Sequence, residues 1–313
     1  MPNYNILITD GLDARGQSIL RAAANVSFRE STPADELTKL VADQDALIVR
    51  GQTRVTAAVM DAAPRLKVVG RAGVGVDNID LEAAKKHNIT VVNAPSSTTA
   101  AVAELTVGLL LAVAREIPRA DSAMKQGQWL KKEFEGIELN GKTLGIIGFG
   151  RIGTEVGKRA SAFGMNVITY DPNVSEHELE HGEAEPVSFQ DLCAWSDFIS
   201  LHLPLNVQTR DLIGPQAISQ MRDGVRIIST ARGGIIDEAA LLEALNSGKV
   251  AGVALDVFEK EPPGLTDLVS HPRVIATPHI GAQTAEAQSR AAEDIANEVL
   301  SALQGKPLRW KVA

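Results

Sequence analysis

A chain of 313 residues with 31 lysines and arginines against 39 aspartates and glutamates carries a net charge of −8. That balance repels nucleic-acid phosphates and anionic membranes, and taken alone it also argues against an anionic substrate. At about 150 residues per domain the length predicts two domains. With 44% hydrophobic and 22% charged residues, disordered, collagenous and coiled-coil chains are excluded. The single cysteine, Cys193, excludes an internal disulfide framework and a multi-cysteine metal cage, and it reads as a small buried hydrophobe. The first ten residues read as a two- or three-residue lead into a strand, without the basic segment and apolar core of a secretion signal. The longest apolar run, Leu105–Ala114, is ten residues long, half of the ~20 that a membrane-spanning helix needs. The expectation is a cytoplasmic protein with no membrane, nucleic-acid or metal partner.

In chain order, β-branched runs at Asn5–Ile8, Ala46–Val49, Lys67–Val69 and Thr90–Val92 predict a first set of strands. Helical patterns at Arg15–Ala24 and Asp35–Val41 fall between them. Ala94–Pro95–Ser96–Ser97 ends this set, and a long helical stretch is predicted over about Thr98–Gln126. Asn140–Gly141–Lys142 then turns into a second set: Leu144–Ile147, Asn166–Thr169, Phe198–Leu201, Val225–Ser229, Ala251–Leu255 and Val274–Ala276. Helical patterns accompany it at Gly153–Phe163 and Glu238–Asn246, and the tail from about Ala282 is helical, ending in Trp310. Continuous apolar strands alternating with helices imply parallel sheets covered on both faces. Ten such strands are more than one sheet usually holds, so two doubly wound α/β domains are predicted. Their expected bounds are 1–95 with 282–313, and 96–281.

Thr143–Ile147 reads as a buried strand running into Gly148–Phe149–Gly150–Arg151–Ile152–Gly153, a GxGxxG sequence that opens a helix. Gly148 suits the tight turn, Gly150 lets backbone N–H groups approach a pyrophosphate, and Gly153 lets helix and strand pack closely. The helix N-terminus adds partial positive charge. Asp171 follows Gly148 by 23 positions, at the end of the next strand, near the ~20 expected of the acid that binds ribose hydroxyls. An acid there repels a 2′-phosphate, so NAD is favoured over NADP. A second glycine pair, Gly73–Val74–Gly75, has no third glycine and no helix immediately behind it. It fits a small anion better than a dinucleotide.

Three later segments place polar residues directly after buried strands, where open α/β sheets bind ligands: Ser229–Gly234, Asp256–Pro263 and Thr277–Gly281. Oxidation of a secondary alcohol by a nicotinamide needs a cation for the substrate carboxylate, a base for the hydroxyl proton and a group that orients the base. Arg232 suits the first as a guanidinium fork. His279 suits the second because imidazole is the side chain whose ordinary proton exchange falls near neutral pH. Glu261 suits the third, because a carboxylate fixes the imidazole tautomer and stabilises imidazolium.

On Leu144–Gly153, Thr230–Glu238, Leu255–Pro262 and Pro278–Gly281 the sequence resembles the D-isomer-specific 2-hydroxyacid dehydrogenases over essentially its whole length. The resemblance implies a flavodoxin-like substrate domain and a Rossmann NAD-binding domain with the active-site cleft between them. It implies Arg232, Glu261 and His279 as the catalytic set. Asp256 would lie near the nicotinamide carboxamide, and His202–Leu203–Pro204 would border the adenine. Thr230, Ala231 and Gly281 join Gly148, Gly150, Arg151, Ile152, Gly153 and Asp171 as cofactor contacts. It also implies that the helix after Pro95 helps to form a homodimer.

The first-domain segments Leu47–Arg50 and Val68–Asn78, with Asn93–Ala94–Pro95 and Glu138–Gly145, are most similar to the phosphoglycerate branch of the family. That branch implies that Arg50 and Arg71 face the substrate and its phosphate and that Val74–Gly75 receives its carboxylate. Ser96–Ser97–Thr98, Val74 and Lys131 depart from the branch on the substrate side. They leave open a hydroxypyruvate or glyoxylate reductase, or a sulfolactate dehydrogenase. An NAD(H)-sensing, corepressor-like binding module is the non-enzyme alternative. With Ala313 as the last residue, no serine-sensing regulatory domain and no serine feedback are expected.

Overall fold

The computed structural model describes residues 4–30, 32–172, 174 and 184–313, so the expected lead Met1–Asn3 lies outside the described residues. The chain divides into two units, Met1–Thr99 with Ala282–Ala313, and Ala100–Gly281.

The first unit is built on β1 (Tyr4–Ile8), β2 (Ala24–Phe28), β3 (Ala46–Val49), β4 (Val68–Arg71) and β5 (Thr90–Asn93). All are parallel, in the order β2-β1-β3-β4-β5. Successive side chains on a strand face opposite ways, and both faces here are apolar. Ile6, Ile8, Ile48 and Val68 enter one core, whereas Leu7, Leu47, Val49 and Val69 enter the other. The C-terminal helix α12 (Ala285–Leu303) covers the first of these cores with Ile295 and Val299. Gly70 is what lets it approach, since a Cβ there would lie 2.5 Å from Val299 Cγ2. The tail then returns to the sheet, where Ala313 O accepts from Val91 N and Trp310 O from Asn93 N.

The second unit carries β6 (Thr143–Ile147), β7 (Asn166–Tyr170), β8 (Glu185–Pro186), β9 (Phe198–Leu201), β10 (Val225–Ser229), β11 (Val250–Leu255) and β12 (Val274–Ala276). The order is β12-β11-β10-β9-β6-β7-β8, again with every pairing parallel. Phe198, Leu144, Ile146 and Ile228 pack on one face, and Ile147, Ile199, Leu201 and Ile227 on the other. The order reverses between β6 and β9, which opens a crevice at their carboxyl ends. Cys193 is fully buried, and burial pushes its thiol up to about 11.

Three elements differ from the sequence expectation. The helix expected over Arg15–Ala24 is α1 (Ala14–Arg21); the chain turns at Ala22 and pairs β2 beside β1. That edge strand, ANVSF, has no fully buried residue and so lacks an apolar signature. The short β8 escaped notice for the same reason, with its pattern of one exposed and one half-buried residue. The long helix over Thr98–Gln126 is instead two, α5 (Thr99–Arg115) and α6 (Ile117–Lys125). Pro118 has no N–H to offer the preceding turn, so Glu116 adopts φ 51°, and Ala114 O accepts from Ile137 N instead. No helix among the described residues is long and apolar enough to cross a membrane.

Candidate active site

In the second unit β6 ends at Ile147 and the chain turns through Gly148, with φ 93°, into Phe149 and Gly150. Gly148 N donates to Tyr170 O at 2.8 Å, and a Cβ at Gly148 would lie 2.8 Å from the His202 carbonyl carbon. Gly150 caps α7 (Arg151–Ala162), so the helix starts two residues before the expected Gly153. The amides of Arg151, Ile152 and Gly153 stand at its N-terminus without intrahelical acceptors. A Cβ at Gly153 would lie 2.2 Å from Gly148 O, so only glycine permits this packing, whereas a Cβ at Gly150 would meet nothing within 4 Å. The space before the helix is therefore open. Asp171, just beyond β7, accepts from Phe149 N at 3.0 Å and holds the turn. Glycines, free helix amides and a flanking carboxylate together fit a dinucleotide.

His202 follows β9 directly. Its Nε2 is 2.8 Å from Ser200 Oγ, while its buried Nδ1 has no partner among the described residues. Burial pushes its pKa down to about 3, so the ring is neutral at ordinary pH. Leu203 is buried and Pro204 exposed.

Arg232 lies two residues beyond Thr230, which follows β10 and shares a 2.8 Å hydroxyl contact with Thr106 of α5. Ala231 is buried, and its carbonyl accepts from Arg232 Nη1 at 2.7 Å. Gly233 brings this turn against the next loop, since a Cβ there would lie 1.8 Å from Phe258 O.

That next loop follows β11. Asp256 is 1% exposed. Its carboxylate accepts from Thr277 Oγ1 at 2.6 Å and from Ile280 N and Gly281 N at 2.8 Å each. It thus fixes the Thr277–Gly281 loop on which His279 stands with φ 52°. His279 Nδ1 meets Glu261 Oε2 at 2.8 Å, and Glu261 Oε1 accepts from Phe258 N at 3.1 Å. Burial pushes the Glu261 carboxyl up, but the His279 ring, the Phe258 amide and the Arg232 charge outweigh it and hold it below 4.5. The structure thereby brings Arg232, Glu261 and His279 together at the carboxyl ends of β10, β11 and β12.

In the first unit Arg50 follows β3 and Arg71 ends β4, at the same edge of neighbouring strands, with Val49 in register with Arg71. Arg50 Nη2 donates to Gln283 Oε1 at 3.3 Å. The Arg71 guanidinium lies against Gly73, where a Cβ would sit 1.5 Å from Nη1. Val74 O accepts from Asn93 Nδ2 at 2.7 Å, and Val74 and Gly75 are half-buried. Sequence reasoning missed the residue that organises this edge. Asp10, with φ 63° after β1, accepts from Arg50 N, Gln52 N and Thr53 N at 2.9–3.2 Å, and from Thr53 Oγ1 at 2.6 Å. It missed Thr106 too, and it named Gly233 and Thr277 only within their strand-end segments, without the contacts each makes. A polar residue ending a buried strand was the available signal for Asp10.

Known proteins resemble this chain in both sequence and fold. Residues 107–281 match the family described as D-isomer specific 2-hydroxyacid dehydrogenase, NAD binding domain. A D-3-phosphoglycerate dehydrogenase of Methanocaldococcus jannaschii is 49% identical over 96% of this chain, which spans 58% of that relative's length. A hydroxypyruvate reductase of Thermotoga maritima is 47% identical over 97% of this chain and 99% of its own. A solved D-lactate dehydrogenase of Aquifex aeolicus, complexed with NAD and lactic acid, aligns with a TM-score of 0.85 at 32% identity, covering 96% of each chain. The chain belongs to the D-isomer-specific 2-hydroxyacid dehydrogenase family, and residues 107–281 are its NAD-binding domain.

Proposed function

We propose that the protein interconverts a D-2-hydroxy acid and its 2-oxo acid, with 3-phosphoglycerate and 3-phosphohydroxypyruvate as the pair. The observation that carries this is the 2.8 Å contact of His279 with Glu261 beside the Arg232 charge. With Nδ1 donating to Glu261, the His279 proton sits on that nitrogen, and Nε2 is left as the base. Nε2 takes the proton of the C2 hydroxyl, and Glu261 stabilises the imidazolium formed. Arg232 holds the substrate carboxylate and polarises the C2–O bond. Arg151, Ile152 and Gly153 amides would hold the pyrophosphate of NAD, Asp171 its ribose, and Asp256, Thr230, Ala231 and Gly281 the nicotinamide side, with His202–Leu203–Pro204 at the adenine. Bound NAD would supply hydride acceptance at C2.

Arg50 and Arg71 supply the charge for a second anionic group in this reading, and Val74–Gly75 the amides for the carboxylate. The unit containing them, Met1–Thr99 with Ala282–Ala313, is the substrate-binding domain in this reading. The similarity to phosphoglycerate dehydrogenases supports that choice, and on this reading the protein serves serine biosynthesis in the cytoplasm. Exposed Ile117, Met124 and Trp129 support a homodimer. A second reading, hydroxypyruvate reductase, is favoured by the Thermotoga maritima relative, which this chain matches along 99% of its length.

NADH-dependent turnover of 3-phosphohydroxypyruvate, hydroxypyruvate, glyoxylate and sulfopyruvate separates the two. On the phosphoglycerate reading, Arg50→Ala raises KM for the phosphorylated acid by about 10–100-fold, the worth of a charged hydrogen bond, and leaves kcat nearly unchanged. An unaltered KM with hydroxypyruvate as the best substrate selects the second reading.

A further inference from the structure

Beside the carboxyl ends of β10 and β11 the hydroxyl protons can be assigned from the contacts alone. Ser229 and Leu255 are in register, so Thr230 and Asp256 are the next positions on neighbouring strands, which run ~4.8 Å apart. Val102, near the start of α5, lies against the same spot. A Cβ at Gly281 would sit 3.2 Å from Asp256 Oδ2 and 3.4 Å from Val102 Cγ2. Thr106 stands one turn further along α5. Thr230 is 8% exposed and Thr106 not at all, so a ligand reaches Thr230 and not Thr106.

Thr106 Oγ1 lies 2.8 Å from Val102 O and 2.8 Å from Thr230 Oγ1. A hydroxyl carries one proton, and a carbonyl oxygen can only accept. The Thr106 proton is therefore on the Val102 carbonyl, and the second contact closes only if Thr230 donates to Thr106. Thr230 Oγ1 has then given its proton away and offers nothing but lone pairs to a ligand. The Asp256 carboxylate is an acceptor as well. It has about four lone-pair sites. Thr277 Oγ1 and Ile280 N occupy those of Oδ1, and Gly281 N takes one of Oδ2, which leaves one on Oδ2. Two oxygens that can only accept, side by side, repel a third acceptor and suit a group with two N–H bonds.

We propose that Thr106 is a positioning residue that makes Thr230 an acceptor, and that Thr230 and Asp256 thereby select the primary amide of a nicotinamide dinucleotide over the carboxylate of its nicotinic acid form. The inference rests on the reading that places the nicotinamide at Thr230 and Asp256, and it names what that end of the site rejects. The carboxamide NH2 has two hydrogens for two acceptors. A nicotinate carboxylate brings lone pairs only, and its negative charge beside Asp256 costs further affinity. An acetyl group in place of the carboxamide keeps the carbonyl and loses both donors. The glycine turn and Asp171 face the pyrophosphate and ribose in this reading, so they cannot tell these dinucleotides apart. The discrimination falls to the Thr106–Thr230–Asp256 set.

Calorimetric titration of the whole protein with NAD, 3-acetylpyridine adenine dinucleotide and nicotinic acid adenine dinucleotide tests this. NAD should bind about tenfold or more tighter than the acetyl analogue and about 100-fold tighter than the nicotinate. Thr106→Val removes the hydroxyl at nearly constant volume and frees the Thr230 proton. NAD should then weaken several-fold, while the nicotinate binds tighter than it does to the wild type, because Thr230 donates to it. Thr106→Ser keeps a hydroxyl and should restore the wild-type order. Thr230→Val removes the acceptor itself and should lose the preference for NAD over the acetyl analogue, with no gain for the nicotinate. The proposal is overturned if Thr106→Val weakens all three ligands by one common factor, as a merely structural hydroxyl would. It is overturned too if the wild-type preferences persist in both valine variants. Equal affinity of the wild type for all three removes the proposal and leaves the nucleotide site standing, whereas a wild type that binds none of them loses the nucleotide site as well.

Discussion

The carboxyl edges of the two sheets solve one structural problem with different consequences. Each anchors a loop through a single carboxylate beyond a strand: Asp10 holds Arg50–Thr53 in the first unit, and Asp256 holds Thr277–Gly281 in the second. Asp10 fixes a loop that presents a guanidinium, with a second arginine ending the next strand. Asp256 fixes a loop that presents an imidazole already joined to Glu261. The first arrangement offers charge and can bind; the second offers a coupled donor and acceptor and can move a proton. The difference predicts that damage to the first edge appears in KM and damage to the second in kcat.

Asp256→Ala gives the largest effect. Three donors lose a nearly inaccessible acceptor, each hydrogen bond to a charged group being worth ~1.5–3 kcal/mol. A stability loss of about 3–5 kcal/mol is expected from urea unfolding, with kcat down by about 100-fold or more as His279 loses its support. An unchanged urea midpoint would remove Asp256 as the anchor. Asp10→Ala should be milder, because its loop is more open to water: KM for the phosphorylated acid rises by about tenfold while kcat changes little. A collapse of kcat at constant KM would erase the distinction between the edges.

The smallest effect is acid sensitivity. Glu261 is held below its ordinary 4.5, chiefly by His279 once burial is overcome. A carboxyl depressed in the folded state stabilises it above the unfolded value, and that contribution is lost as pH falls through the folded value. Unfolding midpoints measured below pH 4.5 should therefore fall more steeply in the wild type than in Glu261→Gln. Equal slopes would show that the pairing contributes nothing to folding.

Much of this was legible in the residues because it is local. Gly148, Gly150 and Gly153 announce a strand, a tight turn and a helix within a few positions; Gly148 and Gly153 are held by the close approaches expected of them, whereas a Cβ at Gly150 would meet only open space. The central strands were legible from their unbroken apolar runs. Edge strand β2 was not, because its half-exposed residues carry no such run. The break at Glu116 was misread because the apolar pattern continues across it, and only Pro118 signals the interruption. Asp10, Thr277 and Gly233 depend on contacts with residues far along the chain, up to 43 positions away for Asp10 and Thr53. The net charge misled in one respect. It describes the whole surface, whereas Arg50 and Arg71 concentrate positive charge locally, where screening over about 10 Å isolates it.

The central claim is that His279 moves the proton while the glycine turn holds the nucleotide independently. Single-turnover reduction of 3-phosphohydroxypyruvate by His279→Ala, followed through NADH absorbance alongside NADH binding by fluorescence, tests both halves together. The account predicts a hydride-transfer rate down by about 10²–10⁴-fold with NADH affinity unchanged. A near-normal rate, or a loss of NADH binding in step with the loss of rate, would contradict it.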